Sequence, residues 1–319
     1  MKKFIVNCLL ICIPLSRWRK IIRHNLLGEP LPAEYYEMRR RMAYGDKHVY
    51  MGQDGADVIY NELCKNKSSL ICRYGTLELG IMGQLIRNKK RKFHFENTEP
   101  MYTNAGFFPI TDYMLSRFAG EMIEITKDID VLGVNHYDEE FEAVEKYCPN
   151  IRIIEMASIC GIFENPWSRY LKGKKVLVIN PFAETIKSQY EKRHLLFDNP
   201  DTLPDFDLKT IKAVQSIADE KKDLPFKTWF EALDYMKEQI RTTDFDVALI
   251  GAGAYGIFLA HYCKTLGKKA VHVGGSVQIL FGIKGKRWDD LGMYNEHWVR
   301  PSQSEIPKGF AKVESGCYW

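Results

Sequence analysis

A membrane-spanning run is missing from the N-terminus of this 319-residue chain, where one would be sought. The apolar stretch at residues 4–13 is ten residues long and contains Asn7, against the roughly 20 that a transmembrane helix needs. Metal and disulfide spacings are missing too. The eight cysteines (Cys8, Cys12, Cys64, Cys72, Cys148, Cys160, Cys263, Cys317) form no CxxC or Cys/His pattern, so they read as thiols of a reducing compartment rather than a zinc site or disulfide framework. There is no internal repeat, low-complexity tract or evident interdomain linker. A large excess of charge of one sign is missing as well. The formal net charge is +4, and six of the 45 basic residues fall in residues 1–27, which hold no acid. The remaining 39 face 41 acidic residues, a balance that argues against a nucleic-acid partner.

Met1-Lys-Lys before an apolar core imitates a secretory signal, yet no small-residue cleavage site follows; Arg17-Trp-Arg-Lys20-Ile-Ile-Arg23 comes instead. Ile11 before Cys12 excludes a lipobox. Residues 1–27 therefore read as an amphipathic, basic, membrane-associating segment, with Trp18 at headgroup level and arginines on anionic phosphates. A first helix packed on the protein's own core is the competing reading. Residues 28–49 are expected as a helical linker and residues 50–319 as the folded domain.

In that domain short apolar runs alternate with helical patterns. Strands are expected at residues 70–73, 129–134, 151–155, 175–180, 247–250 and 270–273, and helices at 77–88, 138–147, 184–196, 226–241 and 257–266. Such alternation implies an α/β fold: a Rossmann-like parallel sheet with helices on both faces, here plus an N-terminal helical segment. Residues 198–209, with Pro200, Pro204 and four aspartates, read as a surface loop or hinge.

The most informative stretch is residues 245–275. A strand, Asp246-Val-Ala-Leu-Ile250, runs into Gly251-Ala-Gly253-Ala-Tyr-Gly256, a helical segment follows, and a second strand ends at His272-Val-Gly274. Glycines at a strand-to-helix turn suit a phosphate site, since the backbone approaches closely and the helix N-terminus offers free N–H groups. The same glycines also suit a tight turn and close helix packing. A dinucleotide site would want an acidic residue about 20 positions on for the ribose hydroxyls. None follows, so NAD is disfavoured and a differently held phosphorylated ligand preferred.

Ligands of such sheets gather beyond the carboxyl ends of the strands. That places Arg73 with Glu78, His136 with Asp138, Glu155, Asn180 with Glu184, the Gly251 loop, and His272 with Gly274 on one rim. Carboxylates and imidazoles there are what group transfer requires of a base and of hydroxyl-binding groups. Glu78, Asp138 and Glu184 also fit as first-turn acids favoured by the helix dipole alone.

The segment Arg73-Tyr-Gly75-Thr76-Leu-Glu78 resembles the Arg-Phe-Gly-Asp-Gly-Glu turn of the GT-D fold glycosyltransferases, and residues 246–274 resemble the last βαβ unit of that family. The tail, residues 278–319, is similar to that of proteins found with bacterial capsule and lipopolysaccharide synthesis enzymes. The resemblance implies a nucleotide-sugar donor and a glycan or lipid-linked acceptor, at the cytoplasmic face of the membrane. It implies Glu78 as a catalytic candidate, to which the strand-end rim adds Asp138, Glu155 and His136. Arg73, Gly75, Thr76, Gly251, Gly253, Gly256, His272, Gly274, Lys284 and Arg287 are the donor-site candidates. The family's acidic pair implies Mn2+ or Mg2+, but Thr76 stands in the first acid's place and leaves Glu78 alone for a metal. Lys284, Lys286, Arg287 and Arg300 could then meet the diphosphate charge instead, or form a solvated face. A non-catalytic nucleotide or glycan-binding component, or a methyl or pyruvyl transferase on the same glycine loop, are the alternatives.

Overall fold

A computed structural model of the chain describes residues 47–88, 94–160, 162–217 and 220–319. The segment expected at the membrane, and nearly all of the expected helical linker, lie outside the described residues. The linker's assigned end at residue 49 falls inside a strand, β1 (Val49–Tyr50).

Eight parallel strands make one sheet: β1, β2 (Ser69–Arg73), β3 (Val131–Val134), β4 (Arg152–Glu155), β5 (Lys175–Asn180), β6 (Asp207–Lys212), β7 (Val247–Ile250) and β8 (Lys269–His272), in the order β1-β4-β3-β2-β8-β7-β5-β6. The interior strands are aliphatic at nearly every position. All four residues of β7 and all but the first of β5 are buried, as a sheet covered on both faces demands. Edge strand β6 reads Asp-Leu-Lys-Thr-Ile-Lys and buries only Ile211. Its polarity made it look like loop, yet it pairs with β5 along all six residues.

The helices are α1 (Gly52–Leu63), α2 (Thr76–Arg87), α3 (Glu99–Thr103), α4 (Asp112–Lys127), α5 (Asp138–Tyr147), α6 (Ala183–Glu191), α7 (Trp229–Arg241), α8 (Gly256–Thr265) and α9 (Val277–Leu280). Both faces of the sheet are covered. On one, α1, α6, α9 and the tail pack Ile59, Ile186, Leu280 and Trp298 against alternate strand residues such as Ile71, Val178 and Leu249. On the other, Trp229 of α7 meets Phe118 of α4 and Phe258 of α8 at centroid distances of 5.3 and 5.1 Å. Trp229 is fully buried, and truncating it to alanine should cost about 3–5 kcal/mol.

The chain's direction on leaving each strand positions the site. Connections from β5 and β8 go to the first face, those from β2 and β7 to the second. Neighbours in the run β2-β8-β7-β5 thus part in opposite directions above their carboxyl ends, and a crevice opens between them. Among the described residues, no helix is long and apolar enough to cross a membrane.

Candidate functional site

The crevice is a cleft of about 400 Å³ lined by the carboxyl-terminal turns of β2, β5, β7 and β8, the turns after β3 and β6, and the C-terminal tail. Besides the four-residue α9, four helices begin near it, and their starts differ in one respect that matters for anions: whether the chain's own carboxylate already occupies them.

Three starts are occupied. Glu140 in the first turn of α5 reaches back to the backbone N–H groups of Asn135 (2.9 Å) and Tyr137 (3.0 Å). Burial pushes it up to about 7 against the lowering effect of those N–H donors. Glu305, from the tail, accepts from the N–H groups of Glu184 (2.8 Å) and Thr185 (3.2 Å) and from the Thr185 hydroxyl, so α6 is capped by a residue 120 positions away. Glu78 folds back over the first residue before α2: a Cβ on Gly75 would lie 2.0 Å from its Oε2, so a side chain there would push the carboxylate aside. Burial raises Glu78, while its own backbone N–H and the Arg73 guanidinium pull the other way.

The fourth start, of α8, is reached through a short 3-10 turn, Gly253–Tyr255, and among the described residues neither carries a side-chain cap. Gly253 sits there with φ of 52°, exposed, and a Cβ on it would find nothing within 4 Å. Its neighbours are packed. A Cβ on Gly251 would meet the Gly274 carbonyl at 2.4 Å and Asn180 Nδ2 at 2.8 Å; one on Gly256 would meet His272 Nε2 at 2.2 Å. Asn180 ties the turns together, donating from Nδ2 to the Gly251 carbonyl (2.8 Å) and accepting the Phe182 N–H at Oδ1 (2.9 Å). Beneath Gly253, Tyr255 stacks on Trp229 at 4.5 Å and shares a hydrogen bond with Ser216 (2.9 Å), which holds the turn still.

Arg73 enters the cleft from the end of β2. Its hydrogen bonds are to the Tyr74 carbonyl (3.1 Å) and weakly to Met156 Sδ (3.9 Å), and among the described residues no carboxylate lies within ion-pair distance of it. A Cβ on Gly274 would lie 2.7 Å from Arg73 Nε, so the left-handed Gly274 (φ 65°) lets the guanidinium lie along the β8 turn. His272, buried below, has Nδ1 3.1 Å from the Arg73 carbonyl. Burial, then the neighbouring guanidinium, pushes it down to about 3. It is a neutral imidazole donating from Nδ1.

Of the residues singled out from sequence, Arg73, Gly75, Thr76, Glu78, Asn180, Gly251, Gly253, His272, Gly274 and Arg287 line this cleft. The others do not. Glu155 ends β4, two strands out from β2. Asp138 is exposed at the head of α5, and His136 (φ 65°) lies in the turn wrapped around Glu140, which turns Asn135 and Tyr137 to the cleft in their place. Gly256 backs onto His272 from behind. Lys284 lies over the Tyr294 ring at 5.6 Å, and Arg300 pairs with Asp289 at 2.8 Å. The basic group of the tail is thus a set of surface contacts, with Arg287 alone reaching the cleft. Residues passed over in the sequence are Glu314, Tyr137 and Ser216; nothing in their local patterns marks them, since only long-range packing brings them here.

The donors at this turn do not fit Mn2+ or Mg2+. Glu78 is its single carboxylate and is folded against Gly75, the Thr76 hydroxyl lies 3.4 Å from that of Tyr137, and Arg73 brings a positive charge. Among the described residues no three His, Cys, Asp or Glu side chains stand together as metal ligands. No family model, no curated protein and no solved structure matches this chain.

Proposed function

We propose that the chain is a glycosyltransferase that moves a sugar from a nucleotide-sugar donor to a glycan or lipid-linked acceptor in bacterial surface polysaccharide synthesis. In this reading residues 1–27 hold it at the cytoplasmic face of the membrane. The observation that carries the reading is the pairing of the uncapped turn at Gly253, which leads into α8, with an arginine that has no carboxylate within ion-pair distance among the described residues, in one cleft large enough for a donor. The donor diphosphate lies between the turn at Gly253 and Arg73, and the wall offered by Tyr137 takes its base or sugar.

In the transfer step the acceptor oxygen bonds to the anomeric carbon as the bond from that carbon to the phosphate oxygen breaks. The electron pair leaves with the nucleoside diphosphate, where Arg73 stabilises the growing charge. Glu78 takes the acceptor's hydroxyl proton. Its raised pKa makes it a stronger base than an ordinary carboxylate, and the rate should rise with pH as it ionises.

Calorimetry with a panel of nucleotide sugars, with and without manganese, tests the donor site. Arg73→Gln should weaken binding about tenfold or more, the worth of a charge-assisted hydrogen bond. Binding unchanged in a folded variant would remove Arg73 from the site. Glu78→Gln should bind donor normally and lose transfer at least about tenfold. The engagement of Glu78 at the start of α2 favours a second reading, a nucleotide-binding component without catalysis. In that case donor binds, no sugar is transferred or hydrolysed, and Glu78→Gln costs only stability.

A further inference from the structure

The tail crosses the mouth of the cleft as a strap, residues 310–319, and three of its consecutive residues are left-handed: Glu314 (φ 45°), Ser315 (φ 58°) and Gly316 (φ 73°). Two of the three carry side chains, for which that conformation is unfavourable. The strap is nevertheless drawn in. Arg287 Nη2 holds Glu314 Oε2 at 2.7 Å and Cys317 Sγ at 2.8 Å, and the guanidinium lies 4.1 Å from the centre of the Tyr318 ring. Backbone contacts help: the Arg287 N–H donates to the Cys317 carbonyl (3.0 Å), and Gln278 Nε2 to the Tyr318 carbonyl (2.8 Å). The indole N–H of Trp319 is enclosed there with no partner among the described residues.

Arg287 and Arg73 flank one dipeptide. A Cβ on Gly274 would touch Arg73, and one on Gly275 would lie 3.6 Å from Arg287 Nη1. Two guanidinium groups thus border the same turn of one cleft, and they differ only in that the second already holds a carboxylate. Glu314 belongs to the cleft lining and is half exposed, so its ion pair is the weak, solvent-screened kind that a phosphate can outcompete.

We infer that Arg287 is a second phosphate subsite of the cleft and that Glu314 is its intramolecular occupant, so that a phosphate-bearing ligand binds by displacing Glu314 and releasing the strap. The inference rests on reading the cleft as a phosphate site. Inorganic pyrophosphate probes it without requiring that a nucleotide sugar bind.

Calorimetric titration of the full chain at low salt compares the unmodified protein with Glu314→Gln, Arg287→Gln and the double variant, with Glu314→Ala as a companion. Glu314→Gln should bind pyrophosphate about two- to fivefold more tightly, the span of a partly exposed ion pair. Arg287→Gln should weaken binding, and in that background Glu314→Gln should gain nothing. A gain of equal size in both backgrounds would mean only that a negative charge had been removed nearby, and would overturn the displacement. Hydrogen exchange of the amides of residues 313–318 should speed up when pyrophosphate is added; slower or unchanged exchange overturns it, as does pyrophosphate binding to none of the chains. If the coupling between residues 287 and 314 appears with pyrophosphate but no nucleotide sugar binds, the strap stands and the donor reading falls. If nucleotide sugars bind through Arg73 while Glu314→Gln changes nothing, the donor reading stands and the strap falls.

Discussion

His272 and Glu140 carry opposite consequences for stability in acid. His272 titrates at about 3 in the folded chain against an ordinary 6.5. Between those values only the unfolded chain holds the proton, so stability falls as pH drops, by up to about 1.4 kcal/mol per unit. Glu140 titrates at about 7 against an ordinary 4.5. Here the folded chain holds the extra proton, and stability rises as pH drops from 7 to 4.5. The two oppose one another between pH 6.5 and 4.5, and below that His272 acts without this counterweight. His272→Asn, which keeps a donor for the Arg73 carbonyl, leaves Glu140 unopposed. Its urea midpoint should be higher at pH 5 than at pH 7, whereas the unmodified chain's should change little. Profiles that superimpose would show that His272 is not the buried neutral group described. At this scale residue types were legible in the sequence and their charge states were not. Burial of His272 depends on α8 and Arg73 closing over it, from opposite ends of the chain.

Among elements, the β7-turn-α8-β8 unit was read most closely, because it is contiguous and every residue of β7 is buried. What pattern could not separate was the work of its three glycines. Gly251→Ala and Gly256→Ala push a methyl group into the Gly274 carbonyl and the His272 ring, and each should cost about 1–3 kcal/mol by overpacking. Gly253→Ala meets only open space and should cost about 1–2 kcal/mol through its left-handed backbone. Thermal melts rank the alanine variants. Gly253→Val should be the one that stays folded while losing anion binding; equal losses of binding and stability at all three positions would make the motif a turn and nothing more. The elements missed from sequence have reasons of their own. Strand β6 is polar because it lies at an edge, and its pairing with β5 supplies the order that its side chains do not. The rim is narrower than a count of strand ends suggests, because strand order sets which ends adjoin: at the end of β4 it is Met156, and not Glu155, that lines the crevice.

For the whole molecule, the cleft among the described residues is lined by positions from 73 to 319, while the basic segment precedes them. Deleting residues 1–24 should therefore leave donor binding intact and abolish flotation with anionic vesicles at low salt, where each basic residue near the surface is worth roughly 1 kcal/mol. A full-length chain that stays with the soluble fraction on such vesicles sinks the anchor. Aggregation of the truncated chain would favour a core-packed segment instead. The C-terminal tail, by contrast, is part of the fold. Phe281 and Trp298 lie in the core and Glu305 caps α6, so truncation there should unfold the sheet's first face rather than merely open the cleft.

The sequence by itself determined the α/β class, the parallel sheet and the positions of the central strands and most of the helices that follow them. Hydrophobic period, strand length and glycine punctuation act over a few residues, and each buried strand carries its own record of them. Only the tertiary structure decided that β8 lies between β2 and β7, and with it that Arg73 meets Gly274, that Glu305 and Glu140 fill two helix starts while α8 is left open, and that Glu314 lies on Arg287. Those contacts join residues far apart in the chain, and the charge and accessibility of a cleft depend on which of them form.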